Sequence, residues 1–270
     1  FKPRKTILGT DFAGKVESTG ENVKSFSTGD KVFGFIDTGA QSQATYIITK
    51  VENLFLIPEK IDYKQAAASL EGASYAYSFI HKVNIQSGQN ILINGATGGI
   101  GSALLQFVRQ YDVNITATCN TNNIQLIESL GADNIYDYTK KDFTKENDKY
   151  DFIFDAVGKS TFGKCLSLLK EKGVYISSEL GPYSQNIFYP LLTSILSKKV
   201  IFPIPYRKQK TIPYICNLLE KGKFNPVIDR EYALEDISKA YEYVIKGQKI
   251  GNVLIDAHSS SSQYKIEEAA

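Results

Sequence analysis

A glycine-rich turn between an apolar strand and an apolar helix is the feature of this sequence with the clearest chemical use. The turn follows ILIN, leads into SALLQFVRQY, and reads NGATGGIG from Asn94 to Gly101. Glycines let the backbone approach a pyrophosphate closely, and the helix N-terminus offers N–H donors and a favourable dipole. The alternative is that the glycines serve only packing. We predict dinucleotide binding, with pyrophosphate contacts from Ala96, Thr97, Gly98, Gly99 and Ile100.

The end of the next strand bears on which dinucleotide is bound. A carboxylate there accepts a hydrogen bond from the ribose 2′-hydroxyl and repels a 2′-phosphate. This end reads CNTNN, from Cys119 to Asn123, and contains no acid. We therefore expect Asn120 and Thr121 near the adenosine ribose and favour NADPH over NADH, although no Arg or Lys is close in the sequence. The alternative role of the cluster is to cap the helix that follows.

From Asn90 onward, short β-rich runs alternate with longer amphipathic segments, which is typical of a parallel sheet built from βαβ units. The predicted strands are Ile91 to Asn94, Val113 to Cys119, Asn134 to Tyr138, Tyr150 to Val157, Gly173 to Ser177 and Lys199 to Pro205. The predicted crossover helices are Gly101 to Tyr111, Ile124 to Leu130, Thr161 to Lys170 and Phe188 to Leu196, with Pro190 tolerated only near a helix start. Such a series predicts the α/β Rossmann fold, a doubly wound parallel six-stranded sheet.

The first ninety residues indicate a different, β-rich and barrel-like region. Glycines punctuate short stretches such as Lys15 to Glu17 and Lys31 to Ile36, and Thr28 to Asp30 marks a tight turn. The chain is predicted to return to this region through a strand, a helix and a last strand, at Val227 to Tyr232, Leu234 to Lys246 and Asn252 to Asp256. We therefore predict interleaved domains over 1–80 plus 225–257 and over 81–224, with a disordered polar tail at 258–270.

Composition excludes several classes of function. The 270 residues are 43% hydrophobic and 22% charged, with a formal net charge of +2, so the chain lacks the excess of positive charge expected of a nucleic-acid-binding face. No stretch has the length of a membrane span, and no signal peptide opens the chain, so we expect a cytoplasmic protein. Three dispersed cysteines and two histidines predict neither a zinc site nor a disulfide framework.

Methionine is absent from the sequence, including at its first position. A chain of this size carries several methionines at average usage. We expect that an N-terminal segment is missing from the sequence, or that methionines have been lost from it.

Ordered motifs along nearly the whole chain resemble one family. These motifs are GTDFAGKV, TGDKVFGF, NILINGATGGIGSALLQFV, ESLGADNIYDYTKKDF, YDFIFDAVGK, GVYISSE and NPVIDREYALEDISKAYEYVIKGQKIGNVLI. They resemble the zinc-free quinone oxidoreductase branch of the medium-chain dehydrogenase/reductase superfamily. The resemblance implies a GroES-like catalytic domain, a Rossmann domain threaded through it, a substrate cleft at their junction, and often a dimer formed through the last Rossmann strand.

The resemblance also implies roles for particular residues. Ser74 corresponds to a family Ser or Thr near the nicotinamide, and Tyr138 resembles a tyrosine beside the adenosine 2′-phosphate, although simple packing is the alternative for each. Zinc-dependent relatives carry a His-Glu pair where this chain has Thr10-Asp11. Relatives in the zinc-free branch often carry a base in the segment that corresponds to Asn122 and Asn123.

Further candidates follow the fourth and fifth Rossmann strands, at the sheet edge where ligands bind in open α/β sheets. Asp155, within an apolar strand, is expected to have a structural hydrogen-bonding role. Phe33, Phe35 and Tyr46 are candidates for an acceptor cleft or, alternatively, for the core. The predicted cofactor contacts at the edge are Ala156, Val157, Gly158, Ser178 and Leu180.

We expect an NADPH-dependent oxidoreductase that transfers hydride, without zinc, to a small quinone or α,β-unsaturated carbonyl. The cofactor carries the difficult step, and the protein orients the reactants and excludes water. We assign no catalytic residue. The alternatives are an enoyl or alkenal double-bond reductase and an NADPH-binding protein with little turnover.

Overall fold

The computed structural model describes residues 7–36, 38–39, 41–203 and 208–259, so most of the predicted tail and the end of the predicted strand at Lys199 to Pro205 lie outside the described residues. The chain divides into two compact units, one of residues 1–71 and 212–270 and the other of Gly72–Thr211. The sequence placed the changes of domain after residues 80 and 224, and this domain assignment remains a prediction.

The six predicted Rossmann strands and the last strand–helix–strand segment occur in the predicted order, whereas the helices Tyr63–Ala68, Glu71–His81 and Lys208–Glu220 were not predicted. The strands are β1 Asp11–Lys15, β2 Lys31–Phe35, β3 Phe55–Leu56, β4 Asn90–Asn94, β5 Asn114–Cys119, β6 Asn134–Asp137, β7 Tyr150–Asp155, β8 Leu169–Ser177, β9 Lys199–Ile201, β10 Ile228–Ala233 and β11 Asn252–Asp256. The α-helices are α1 Tyr63–Ala68, α2 Glu71–His81, α3 Gly99–Val108, α4 Ile124–Ser129, α5 Phe162–Cys165, α6 Gln185–Leu192, α7 Lys208–Glu220 and α8 Ile237–Ile245.

The first unit contains two small sheets. β1, β2 and β3 form an antiparallel sheet, while β10 and β11 pair in parallel. The predicted turn before β2 is present, with Gly29 at a φ of +98°. Asp30 closes this turn, since its Oδ2 accepts the Ser27 N–H at 2.8 Å and its own N–H donates to the Ser27 carbonyl at 3.1 Å. The first predicted strand lies earlier than expected, because the pairing with β2 runs from Asp11 to Lys15.

The second unit is the predicted six-stranded parallel sheet, with strand order β6-β5-β4-β7-β8-β9. This order is that of a Rossmann fold, in which the chain moves outward from β4 in one direction and then from β7 in the other. The central strands are apolar on both faces, as expected for a parallel sheet covered on both sides. Fully buried side chains of the sheet and α3 include Ile91, Leu92, Ile93, Leu104, Leu105, Phe107, Ile115, Ile153 and Phe154.

The crossover predicted over Thr161 to Lys170 is wrong in its second half, because α5 ends at Cys165. A three-residue turn follows it, and the chain then joins the sheet: the Leu168 carbonyl accepts the Tyr150 N–H at 2.8 Å, and Leu169, the first residue of β8, pairs with Tyr150. Pairing with β7 therefore takes these residues out of a helical conformation. Lys170 strengthens the contact through an ion pair with Asp151 at 2.8 Å.

The helix predicted over Phe188 to Leu196 is shifted toward the N-terminus and spans Gln185–Leu192. Pro190 lies in its second turn rather than near its start, so the α-helical hydrogen bond to the Asn186 carbonyl is missing there. The Asn186 side chain is instead anchored outside the helix, because its Nδ2 donates to the Glu179 carbonyl at 2.8 Å. Tertiary contacts therefore set the beginning of this helix.

Candidate functional site

The carboxyl ends of β4, β5, β7 and β8 meet at one edge of the six-stranded sheet. β4 and β7 are neighbours there, and Asn94 at the end of β4 pairs in register with Asp155 at the end of β7. The chain order reverses between these two strands, which makes their ends the topological switch point of the sheet. Ligands of open α/β sheets bind at such a point, so the residues here form the candidate site.

Asp155 is fully buried and holds the edge together by four hydrogen bonds. Its Oδ1 accepts from Asn94 Nδ2 at 3.0 Å and from the N–H groups of Val157 and Gly158 at 3.3 and 3.0 Å. Its Oδ2 accepts from the Tyr175 hydroxyl at 2.7 Å. Burial and the adjacent carboxylate raise the pKa of Tyr175, so this hydroxyl stays protonated as a donor. The predicted structural role of Asp155 is confirmed.

Thr118 at the end of β5 links the glycine-rich turn to the same network. Its hydroxyl donates to Asn94 Oδ1 at 2.7 Å and accepts the Gly95 N–H at 3.0 Å, while its carbonyl accepts the Ala96 N–H at 3.2 Å. The sequence analysis missed Asn94 and Thr118. The signal was present, because each is a polar residue at the end of an otherwise apolar strand.

The glycines of the turn have different tasks. Gly95 has a φ of +82°, and a Cβ there would lie 2.6 Å from the Val157 Cβ. A Cβ on Gly101 would lie 2.1 Å from the Gly95 carbonyl oxygen, so these two glycines are required by the fold itself. A Cβ on Gly98 would meet only the Gly95 oxygen at 3.8 Å. Gly98 is the N-cap of α3 without a side-chain cap, and its surroundings leave room for a ligand.

Helix α2 begins beside the glycine-rich turn. A Cβ on Gly72 would lie 3.0 Å from the Gly99 carbonyl carbon and 3.3 Å from the Ile100 nitrogen, so a larger residue would have to push this backbone away by a few tenths of an ångström. Ser74 follows two residues later on the same helix and is 3% exposed. The predicted nicotinamide-side residue is thus buried on the helix that packs against the start of α3.

Three buried polar atoms without a hydrogen-bond partner belong to predicted cofactor residues, and others lie elsewhere, on Tyr150 and Asn186. Ser74 Oγ, Asn120 Oδ1 and Ser178 Oγ are buried and accept or donate no hydrogen bond in this structure. A buried polar group without a partner costs roughly 1–3 kcal/mol. A nucleotide rich in hydroxyl and phosphate oxygens would supply partners, since serine hydroxyls donate and accept and an amide oxygen accepts. The donor set therefore fits a dinucleotide.

The remaining predicted residues lie at the same edge with different exposure. Tyr138, Val157 and Leu180 are 55%, 40% and 50% exposed, so the alternative that Tyr138 is packed is wrong. Ala96 is fully buried and offers a ligand only its backbone. The Ala156 N–H donates to the Asn94 carbonyl at 3.0 Å and holds the loop after β7.

The three candidates for an acceptor cleft in the first unit differ in how far they are exposed. Phe33 and Phe35 are 0% and 3% exposed, so both are core residues and the interpretation as cleft residues is wrong for them. Gly34 lies between them on β2. A Cβ on Gly34 would be only 2.0 Å from the Asn53 carbonyl oxygen, so the close approach of the two backbones requires glycine there. Tyr46 is 70% exposed.

Thr121 follows β5 as predicted, but its hydroxyl already has a strong acceptor. Thr121 Oγ1 donates to Asp137 Oδ2 at 2.5 Å. This hydrogen bond and those from Thr139 lower the pKa of Asp137 to about 2. Neither Asn120 nor Asn123 makes a side-chain capping hydrogen bond, so the helix-cap alternative is wrong for both. Sequence reasoning missed Asp137, which lies on the next strand of the sheet.

None of the cysteines is activated as a nucleophile. Burial raises the pKa of Cys119, Cys165 and Cys216 to about 11 each, so the thiols are protonated near neutral pH. Within the described residues, no group of three or more His, Cys, Asp or Glu side chains is placed to hold a metal ion. None of the described helices is long and apolar enough to cross a membrane.

Two family models match the chain. Residues 1–59 match the alcohol dehydrogenase GroES-like domain, and residues 130–255 match the model described as zinc-binding dehydrogenase. Human quinone oxidoreductase is 30% identical over 264 residues, which cover 90% of this chain and 78% of the human protein. The chain belongs to the quinone oxidoreductase-like branch of the medium-chain dehydrogenase/reductase superfamily.

Other members of this branch are equally similar. The 2-methylene-furan-3-one reductase of Solanum lycopersicum and the chloroplastic NADPH-dependent alkenal/one oxidoreductase of Arabidopsis thaliana are each 30% identical, over 94% of this chain. The chain spans only 64% of the length of each of these two relatives. The quinone oxidoreductase of Coxiella burnetii has the same fold, with a TM-score of 0.81, 21% identity and coverage of 93% of this chain and 79% of that one.

The Asp155 network yields a stability prediction. Tyr175→Phe removes one of the four donors to a fully buried carboxylate, so we expect the free energy of unfolding to fall by about 1–3 kcal/mol. Tyr183→Phe is the matched control, because Tyr183 is fully exposed and its hydroxyl is open to water. Urea denaturation of the two variants measures the difference. Equal midpoints for both would show that the Tyr175 hydrogen bond contributes nothing to stability.

Proposed function

We propose that this protein is an NADPH-dependent oxidoreductase that transfers hydride to a quinone or an α,β-unsaturated carbonyl without zinc. Two observations together carry the proposal. The glycine-rich turn has free space beside Gly98, and the buried polar atoms of Ser74, Asn120 and Ser178 have no hydrogen-bond partner. The names of the human, tomato and Arabidopsis relatives support the same chemistry. Bound NADPH would supply the hydride from C4 of its nicotinamide.

The role of each residue in this proposal follows from its place at the sheet edge. The backbone from Ala96 to Ile100 and the N-terminus of α3 would bind the pyrophosphate. Ser74 and Ser178 would hydrogen-bond toward the nicotinamide half, and Asn120 would accept from a ribose hydroxyl. The remaining contacts would come from the edge residues Thr97, Gly98, Gly99, Thr121, Tyr138, Ala156, Val157, Gly158 and Leu180.

The preference for NADPH is proposed on three grounds. The segment directly after β5 carries no acid that would repel a 2′-phosphate, and Tyr138 is exposed where an adenosine end would lie. The name of the Arabidopsis relative is also that of an NADPH-dependent enzyme. NADH is the alternative cofactor.

The acceptor needs no protein acid in this proposal. A quinone takes hydride at one oxygen or carbon and then a proton from solvent, so the chain has to orient the acceptor and exclude water rather than transfer a proton. A double bond conjugated to a carbonyl is the second candidate acceptor, because the tomato and Arabidopsis relatives are named for such substrates.

We also propose a homodimer formed through β9. This strand lies at the end of the sheet order, with β8 as its hydrogen-bonded neighbour, and edge strands are templates for further pairing. Beside it lies a groove of about 440 Å³ lined by residues that include Ile187, Pro190 and Val200.

A cytoplasmic location remains a prediction. The Arabidopsis relative is named as a chloroplastic protein, which is a different compartment.

Nucleotide binding can be tested at Gly98. A Cβ at this position meets no protein atom closer than 3.8 Å, so Gly98→Val should fold and should lower the melting temperature of the free protein only slightly, through a poorer N-cap of α3. The added side chain would occupy the space for the pyrophosphate, and we expect a loss of affinity for NADPH and NADH of at least about a hundredfold. Isothermal titration calorimetry measures it. Gly163→Val, on exposed α5, is the control, and unaltered binding by Gly98→Val would remove the assignment of the turn.

A substrate panel tests the reaction. We expect NADPH oxidation, followed by the loss of the reduced cofactor's absorbance, with simple quinones and with α,β-unsaturated carbonyl compounds such as alkenals. Turnover of an enoyl thioester but of no quinone would replace the first acceptor class by the second. Tight NADPH binding with no turnover of any acceptor would contradict the proposed activity while leaving the nucleotide site in place.

The dimer is tested on the exposed apolar face of α6 and the turn after it. Leu191 and Ile195 are 81% and 91% exposed. The double variant Leu191→Asp, Ile195→Asp would bury charge in the dimer contact, so we expect it to be a monomer. Sedimentation equilibrium measures the change. Ile48→Asp is the control on an equally exposed residue of the other unit. A monomeric parent protein would refute the proposal.

A further inference from the structure

We propose that Asp137 limits the preference for NADPH proposed above, because its charge disfavours a 2′-phosphate relative to a ribose 2′-hydroxyl at the adenosine end of the cofactor site. The inference rests on the proposed function. It assigns the discrimination to a residue on β6, one strand away from the β5 end where the sequence motif is normally sought.

The position of Asp137 is fixed by the sheet. Asp137 is in register with Cys119, the last residue of β5, and the Tyr138 N–H donates to the Cys119 carbonyl at 3.0 Å. The residues directly after Cys119 form the segment that reads the ribose in this fold. The Asp137 side chain therefore stands beside that segment, and its hydrogen bond from Thr121 at 2.5 Å is the direct contact.

The Asp137 carboxylate accepts from Thr121 and Thr139 and lies beside Lys140. Oδ1 accepts from the Thr139 N–H at 3.0 Å and from the Thr139 hydroxyl at 2.6 Å. Oδ2 accepts from Thr121 and lies 3.4 Å from Lys140 Nζ. A carboxylate has about four acceptor positions, so these contacts occupy most of its capacity. Asp137 acts on a nucleotide through its charge and through Thr121, rather than as a direct ligand.

The consequence for a bound nucleotide depends on the group at the 2′ position. Thr121 gives its proton to Asp137, and the Thr139 hydroxyl 3.1 Å from Thr121 Oγ1 gives its own proton to the same carboxylate, so toward a ligand Thr121 Oγ1 offers lone pairs only. A 2′-hydroxyl can donate to that oxygen, whereas a 2′-phosphate is an acceptor and meets both the lone pairs and the negative charge behind them. Lys140 offsets this charge only in part, because its side chain is 65% exposed.

The low pKa of Asp137 agrees with this geometry. The hydrogen bonds from Thr121 and Thr139 lower it to about 2, so the carboxylate is charged throughout the neutral pH range. The repulsion is therefore present under every condition in which the two nucleotides would be compared.

The sequence supplies a matched control five residues later. Asp142, Thr144 and Lys145 repeat the arrangement of Asp137, Thr139 and Lys140, with hydrogen bonds to Asp142 Oδ1 from the Thr144 N–H at 3.1 Å and from its hydroxyl at 2.7 Å. Asp142 follows β6 rather than ending it, and its side chain contacts Thr144 and Lys145 rather than the segment after β5. Asp142→Asn thus removes the same kind of charge from the same kind of turn, away from the ribose-reading segment.

The test compares dissociation constants of the intact protein for NADPH and NADH by calorimetry. Asp137→Asn should tighten NADPH binding by about five- to tenfold, the effect of removing roughly one like-charge interaction near the surface. NADH binding should change by less than about twofold. Asp142→Asn should change neither constant. An unchanged NADPH-to-NADH ratio in Asp137→Asn, or equal weakening of both nucleotides, would overturn the inference and would mean that Asp137 only anchors Thr121.

A second variant guards against misfolding of the first. Lys140→Gln removes the partial counter-charge from an exposed side chain, so we expect weaker NADPH binding by about threefold and little change for NADH. An increase in NADPH affinity would contradict the inference. If the parent protein binds neither nucleotide, the proposed function itself fails, whereas binding of both with an unchanged ratio in the variants removes only the role of Asp137.

Discussion

The buried carboxylate of Asp155 is the constraint on which the architecture of the sheet edge depends. A carboxylate with no exposed surface is tolerated only when it is fully hydrogen-bonded. Its four donors come from the end of β4, from two backbone positions after β7 and from β8. These donors converge only if the three strands end in one register, so the requirement of one side chain fixes both loops of the switch point.

The glycine-rich turn is shaped by the same network. Asn94 donates to Asp155 and accepts from Thr118, and the Thr118 hydroxyl accepts the Gly95 N–H. These hydrogen bonds fix the position of the first residues of the turn relative to the sheet. Gly95 and Gly101 then let the backbone fold back on itself. The fold thereby satisfies one set of polar groups completely and leaves another set, on Ser74, Asn120 and Ser178, without partners. The contrast with the fully bonded Asp155 is why we propose these three atoms as ligand contacts.

Periodicity and turn chemistry predicted the strands of the Rossmann sheet and the structural role of Asp155. They failed where long-range pairing overrides local preference. Leu168 and Leu169 have the pattern of a helix, yet they pair with the start of β7. Phe33 and Phe35 could not be assigned to core or cleft by residue type alone. The contact of Thr121 with Asp137 follows from the register of β5 with β6, which no local window of sequence contains.

The two DxTK turns separate local chemistry from position. DYTK at Asp137 and DFTK at Asp142 make the same hydrogen bonds from threonine to carboxylate, and in each the threonine lowers the pKa of the aspartate. Only the first turn ends a strand beside the segment after β5. Its carboxylate receives a further bond from Thr121, and its middle residue, Tyr138, is exposed, whereas Phe143 in the second turn is buried in the core beneath the sheet. The same four-residue chemistry therefore serves packing at one place and lies at the proposed cofactor edge at the other, and the sheet register decides which.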